Sequence, residues 1–296
     1  MKNHFLRAFI LLSVYSSAQP DFSNAFFNKM NMNPAYTGVK DISAPDTLEH
    51  KQVDVFYNNT PKSSDYVMAT FHMPIYTIHS GIGVMLNYNN EVSEFSEYAA
   101  KMFYRYTLVP GLYVGASAGF VNIKLRYYDP TSIGSSSQRF TSPDVDLGIV
   151  GQTGSVFFGL ALGHINTPVY TISGYPENIP FYTGMTYNST FGCNINISET
   201  RLCMMACFYN NDLSAHLLFY PCKYFFIGLS STVYYDGAHE VPLISQDIKR
   251  DDYSIAFTAG LSLFNNQLNI SLSIIKYPGL YNGNYPNSES LLGYGF

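Results

Sequence analysis

Leu268-Asn269-Ile270-Ser271-Leu272-Ser273-Ile274 alternates large apolar residues with small polar ones without a break. Successive side chains of a β-strand point to opposite faces, so the pattern puts the four aliphatic residues on one side and Asn269, Ser271 and Ser273 on the other. The same period runs through Tyr253, Ile255, Phe257, Ala259, Leu261 and Leu263 against Ser254, Ala256, Thr258, Gly260 and Ser262. It recurs in Tyr187, Phe191, Cys193, Ile195 and Ile197 against Asn188, Thr190, Gly192, Asn194 and Asn196. A sandwich with a wet exterior and a membrane barrel with a polar lumen both give such alternation. The segments run about 9 to 15 residues, whereas sandwich strands cluster near 5 or 6. Their polar faces carry Ser, Asn, Gly and Thr rather than the Lys and Glu of a wet exterior. The fold expected is all-β, a transmembrane antiparallel β-barrel.

Extended along the chain, the pattern predicts strands near 50–58, 65–73, 81–90, 97–108, 111–127, 144–151, 155–166, 182–197, 201–209, 213–220, 224–235, 253–264, 268–277 and 289–296. That is about fourteen, an even number as in single-chain bacterial barrels. Connections after even-numbered segments are short, as at Val109-Pro110 and Gln152-Thr153-Gly154, whereas 128–143, 167–181, 236–252 and 278–288 are long. Short periplasmic turns and long outer loops follow if both barrel termini are periplasmic. In segment 111–127 the apolar phase flips near Phe120, which a bulge or a strand leaving the bilayer would explain. Leu292-Gly293-Tyr294-Gly295-Phe296 ends the chain on an aromatic, in the manner of a closing outer-membrane strand.

Composition agrees with a lipid-covered surface. Only 12% of the 296 residues are charged, 16% are aromatic with no Trp, and the mean hydropathy is -0.01. A soluble domain carries about 25% charged residues. A net charge of -5 argues against nucleic acid, which needs a basic footprint. Cys193 falls on the lipid-facing set of its strand and Cys203 and Cys207 on the inward set of the next, so no structural disulfide is expected there, and Cys222 offers no obvious partner.

Lys2 and Arg7 precede the apolar stretch from Phe5 to Val14, and Ser16-Ser17-Ala18 offers small residues for cleavage. Residues 1–18 therefore read as a signal peptide, too short in its apolar part for a span of about 20 residues. Barrel alternation begins near His50. Residues 19–49 are too long for a mere linker and too polar for a strand in lipid, and are expected to fold into or across the periplasmic mouth as a plug-like segment, leaving 50–296 as the barrel.

Candidate chemistry is sparse. Gly115-Ala116-Ser117-Ala118-Gly119 matches a nucleophile elbow by letter but lies inside a strand, where close packing against an inserted segment is the better use of its glycines. Gly81-Ile82-Gly83 lacks the third glycine of a dinucleotide site, and the histidines are not at ligand spacing. The acidic loop 236–252 lacks the regular spacing of a calcium loop. No catalytic residue, metal site or cofactor is expected. Lys101 and Arg105 share a face with Ala99 and Phe103, away from Tyr98, Met102, Tyr104 and Tyr106. Charges are costly toward lipid, so these two are read as lumen groups, with Asp54 and Asp146 as counter-charges.

One motif precedes the barrel. In Asn33-Pro34-Ala35-Tyr36-Thr37-Gly38, proline forces an extended Asn33 and Thr-Gly closes a turn. With the leader, the strand count and the aromatic end, this motif resembles the PorP/SprF family of type IX secretion membrane proteins of Bacteroidota. Pro143-Asp144 and Gly159-Leu160-Ala161-Leu162-Gly163-His164 resemble further family motifs, while the family's Arg-x-Gln-Trp is replaced by Val55-Phe56-Tyr57-Asn58-Asn59. The resemblance implies a non-enzymatic barrel of the bacterial outer membrane. It would work with type IX translocon components in the secretion or surface attachment of an adhesin-like protein bearing a type B C-terminal domain. The alternative is a passive porin or small-molecule uptake channel. Pro34 and Tyr36 are expected to be buried against the barrel's inner wall, and a barrel blocked by residues 19–49 would count against the channel.

Overall fold

The computed structural model describes residues 29–39, 51–60, 64–91, 95–129, 134–166, 169–172, 179–182, 185–210, 212–222, 224–234, 253–263, 268–276 and 287–295. The expected leader, the acidic loop and Phe296 lie outside them. The strands are β1 (Gln52–Thr60), β2 (Ser64–Ile75), β3 (Ser80–Glu91), β4 (Phe95–Val109), β5 (Leu112–Asp129), β6 (Gly134–Thr153), β7 (Val156–Gly163), β8 (Val169–Ile172), β9 (Ile179–Tyr182), β10 (Thr186–Ile197), β11 (Thr200–Tyr209), β12 (Asp212–Cys222), β13 (Phe225–Tyr234), β14 (Tyr253–Leu263), β15 (Leu268–Lys276) and β16 (Asn287–Gly295). β8 and β9 pair with each other; the other fourteen follow one another in chain order around a closed barrel, all antiparallel where they adjoin. β1 seals against β16 with Gln52 opposite Gly295 and Asn59 opposite Ser288, so no edge remains at the seam.

The hydrophobic pattern is inside out in the way a lipid solvent demands. Met102 is 70% and Phe120 62% exposed, and Leu86, Tyr98, Leu160, Phe191 and Leu272 also point outward. The opposite parity is buried and faces the lumen, where it is not uniformly polar. Phe56, Tyr66, Met68, Met85 and Phe103 form one inward cluster, and Val150, Phe157, Cys203, Met205, Cys207, Leu218 and Phe226 another. Cys193 opposes Met204 and Cys203 opposes Asn194, so Cys193 and Cys203 stand on opposite faces of one hairpin, and none of the four cysteines is in a disulfide.

Three features differ from the sequence reading or decide between alternatives it left open. β6 begins at Gly134, so most of 128–143 is strand rather than loop. Above the membrane neither face needs alternating apolar groups, and Ser135 to Arg139 therefore carry no period. The register of β5 against β6 is unbroken from Leu112–Gly151 to Asp129–Gly134, which excludes a bulge at Phe120. Val121 and Ile123 are buried inward while Asn122 and Lys124 take the outer face, because the outer solvent changes from lipid to water there. Third, the stretch 167–181 holds most of the small β8–β9 hairpin.

Candidate functional site

The helical turn α1 (Lys29–Met32), Asn33, the 3-10 turn Pro34–Tyr36, Thr37 and Gly38 form a wedge inside the barrel. Its shape is local in origin. Asn33 is extended at φ -156° and ψ 116°, as the residue before a proline must be, and its Oδ1 accepts the Ala35 N–H at 2.9 Å. Thr37 closes the turn by donating both its hydroxyl, at 2.7 Å, and its N–H, at 3.2 Å, to the Pro34 carbonyl. Gly38 then takes φ 69°, in the left-handed region that glycine enters at little cost.

Four strands hold this wedge. Asn33 Nδ2 donates to the Ile149 carbonyl of β6 and the Leu160 carbonyl of β7, both at 3.1 Å. The Tyr36 hydroxyl meets Thr190 Oγ1 of β10 at 3.1 Å, and Asn188 Nδ2 donates to the Met32 carbonyl at 3.2 Å. The Gly38 N–H donates to Nδ1 of His72 on β2 at 3.1 Å, which leaves the proton of a neutral ring on Nε2, 3.9 Å from Asp54. Met32, Ala35 and Tyr36 pack into one inward apolar cluster and Met30 into the other. Glycine makes room on the wall: a Cβ on Gly115 would intrude on Pro34 and Ala35, and one on Gly148 on the Asn33 amide. These contacts lie toward the ends of β2, β5 and β6 that are joined by the short turns, such as Pro110-Gly111 and Gly154-Ser155, near the middle of β7 and toward the start of β10.

Beyond the wedge, the charges gather. Lys101 Nζ lies 2.6 Å from Asp144 Oδ2 and 2.7 Å from Asp146 Oδ2. The geometry is written in the register. Lys101 faces Gly119, and Gly119 faces Asp144 on its other side, so the residue between the two charges has no side chain to separate them. Ser117 donates its hydroxyl to Asp146, its partner across β5–β6. The His164 N–H donates to Asp146 Oδ1 at 3.0 Å, and His164 Nδ1 is 2.7 Å from Asp144 Oδ1. The Pro-Asp and Gly-Leu-x-x-x-His stretches, far apart in sequence, thus meet at Asp144 and His164. A cavity of about 110 Å3 is lined by Glu97, Lys101, Asp144, Asp146 and His164, and by Met32 and Pro34 of the wedge.

Of the four lumen charges singled out from the sequence, Lys101 and Asp146 come together. Arg105 and Asp54 do not join them. Arg105, 0% exposed, donates from Nη2 to the Ser80 carbonyl at 3.3 Å and stacks its guanidinium 5.1 Å from the Tyr113 ring centre. Asp54 accepts from Gln52 Nε2 at 2.7 and 2.9 Å and from Thr70 Oγ1 at 3.4 Å. Asp144 was not among the four; its signal in the sequence was its inward parity with Asp146, two residues on. Chemically the cluster is an ion pair with two anions and one fixed cation. Asp144, Asp146 and His164 offer ligand atoms within 4.8 Å of one another, but the Lys101 ammonium bridges the two carboxylates that a metal ion would need. Ser117 donates its hydroxyl proton to a carboxylate, that of Asp146.

The family model described as type IX secretion system membrane protein PorP/SprF matches residues 14–276. Comparison with curated proteins finds no match. Among solved structures, the toluene transporter TodX of Pseudomonas putida is similar with a TM-score of 0.55 at 11% identity, over 91% of this chain and 93% of that one. The CymD monoaromatic hydrocarbon channel gives a TM-score of 0.50 at 11% identity, over 91% and 99%. At such identities the likeness is one of fold alone.

Proposed function

The chain belongs to the PorP/SprF family of type IX secretion system membrane proteins, and from that premise we propose that it is a non-enzymatic outer-membrane barrel assisting the secretion or surface attachment of one type IX substrate. The substrate in this reading is an adhesin-like protein with a type B C-terminal domain, received from translocon components. One observation carries it. The wedge Asn33–Gly38 is buried in the lumen and tied by hydrogen bonds to β2, β6, β7 and β10. A lumen into which the chain's own N-terminal segment is packed suits a protein that holds or hands over a partner at its surface better than one that passes small solutes.

In this reading residues 1–18 are removed as a leader, 19–49 plug the barrel, and 50–296 form it with both termini periplasmic. Asn33, Pro34, Ala35, Tyr36, Thr37 and Gly38 are the structural motif that seats the plug. Lys101, Arg105, Asp54 and Asp146 are lumen charges that fix the wall around it, with no cofactor involved. The test is deletion of the gene followed by surface labelling of intact cells. A large secreted protein should be lost from the surface or trapped inside, and return when the gene is restored. Unchanged surface display, together with steady conductance of the purified barrel in planar bilayers, would overturn this reading in favour of a passive channel.

A further inference from the structure

The wall of the barrel has a step in it. β7 ends at Gly163 and β10 begins at Thr186, but β6 continues to Gly134, rising beside β5 past the last lipid-facing rung at Phe120 and Pro143. Which backbone groups this arm exposes follows from parity, because in an antiparallel strand the N–H and C=O of one residue point to the same neighbour and those of the next residue to the other. The Val145 carbonyl accepts the Ile165 N–H at 3.0 Å, and the Val145 N–H donates to Asn166 Oδ1 at 3.2 Å. Odd-numbered positions of β6 therefore point away from β5. The Pro143 carbonyl is also used, by Asn166 Nδ2 at 2.7 Å, and proline there has no N–H to leave unpaired. Beyond it, the N–H and C=O groups of Thr141, Arg139, Ser137 and Ser135 face the side where β7 has stopped. No described strand pairs with them: β8 comes close to β6 but joins β9 in a separate two-stranded sheet instead of the β6 ladder.

The outer face beside this edge is basic. Lys124 and Arg139 sit directly opposite each other in register, on the same face as Asn122 and Thr141. Like charges facing across a ladder are destabilising unless an anion lies between them.

From the unpaired backbone and the opposed cations, we propose that the β6 edge from Ser135 to Thr141 is a docking site for an extended segment of the secreted partner, which adds to the sheet as a further strand. Main-chain hydrogen bonds to residues 137, 139 and 141 supply the affinity, and an acidic side chain on the outer face of the added strand meets Arg139, which offsets its opposition to Lys124. This site rests on the function proposed above and names the surface through which it is exercised.

The test places a photo-crosslinking benzoylphenylalanine at Ser137 in cells and identifies the crosslinked peptide. It is paired with the double variant Ser137→Pro/Thr141→Pro, which removes two edge N–H groups that β5 does not use, and with Thr141→Ala as a control that keeps the N–H. Heat-modifiable mobility on gels checks that each barrel is folded. The expected peptide is an acidic extended segment of the same secreted protein whose display is lost on gene deletion. The double proline variant should lower that protein's display by about tenfold or more, as expected for losing two backbone hydrogen bonds, and Thr141→Ala should leave it unchanged. Crosslinks confined to this chain's own residues 167–185, to a second copy or to lipid would overturn the proposal. So would full display by a folded double proline variant in cells where deletion abolishes it, and that outcome would leave the proposed function standing. Display that survives deletion would remove both.

Discussion

Replacing Asn33 by alanine removes the side chain that both shapes the wedge and ties it to the wall. Its amide makes three hydrogen bonds, to the Ala35 N–H and to the Ile149 and Leu160 carbonyls, and the residue is 1% exposed. Each bond contributes about 1 kcal/mol net, and the Ala35 N–H, left buried without its acceptor, adds about 1 kcal/mol at the low end of its desolvation cost. Part of this overlaps the cost of losing a capping residue, about 0.5–2 kcal/mol. A total near 3 kcal/mol corresponds to roughly a 100-fold rise in the undocked fraction of the wedge. The protein carries its own reporters, because Cys203 and Cys207 are buried in the cluster that packs on Met32, Ala35 and Tyr36. With Cys193 and Cys222 replaced by alanine, the rate at which a water-soluble maleimide labels the purified barrel follows the undocked fraction. Asn33→Ala should label roughly 100-fold faster than its parent, whereas Asn122→Ala, which removes a 2.7 Å bond to Thr141 on the outer face of the arm, should not. A folded Asn33→Ala barrel that labels at the parent rate would refute the account of how the wedge is held.

Gly115→Leu should expose the same cysteines by blocking the position of Pro34 and Ala35, with heat-modifiable mobility of the barrel preserved. Lys101→Met strands Asp144 and Asp146 in the lumen and should cost about 3–5 kcal/mol in urea unfolding from vesicles, recovered largely when both aspartates are also replaced by asparagine. Burial raises the Tyr36 phenol above its ordinary value of 10.0. A proton is therefore held more tightly in the docked wedge than in the undocked one, so docking is undiminished below pH 10 and weakens as pH rises past it. Proteinase K cleavage near Lys29 should increase over that range in the parent and lose this dependence in Tyr36→Phe. Because Gly148 and Ser137 are far apart on β6, Asn33→Ala should leave crosslinking at position 137 unchanged, the additivity expected of distant sites without shared partners.

The barrel was legible because lipid imposes a strict demand: every outward residue in the bilayer must be apolar, and Leu268 to Ile274 or Tyr253 to Leu263 show it letter by letter. Where that demand lapses, legibility lapses with it. Gly134 to Ser142 pairs with β5 for reasons of backbone hydrogen bonding alone, and nothing in Ser135-Ser136-Ser137-Gln138-Arg139 advertises a strand. The inward face is a similar case. Parity placed Lys101, Arg105, Asp54 and Asp146 on one side of their strands, but which of them meet depends on register across non-adjacent strands. Lys101 finds Asp144 because Gly119 lies between them, a relation among three strands that no local pattern carries. Asp54 instead lies with Gln52 and Thr70, on the same wall as the histidine that receives the Gly38 N–H.

The β5–β6 hairpin relates these features to one another. Counted up its rungs, Gly115 and Gly148 receive the wedge, Ser117 donates to Asp146, Gly119 and Asp144 admit Lys101, Phe120 and Pro143 end the lipid band, and Lys124 and Arg139 stand outside. At about 3.3 Å per residue, the nine steps from Gly148 to Arg139 span roughly 30 Å. The register is uninterrupted over all of them, so one continuous ladder joins the wedge at its foot to the arm at its top. A segment docked on the arm would share that ladder, which acts as a post between the two ends. The glycines at 115 and 148 then have a purpose separate from recognition. They let the chain's own N-terminal segment brace the inside of the post at its foot, where the ion pair of Lys101 with Asp144 and Asp146 ties β4 to β6 across β5.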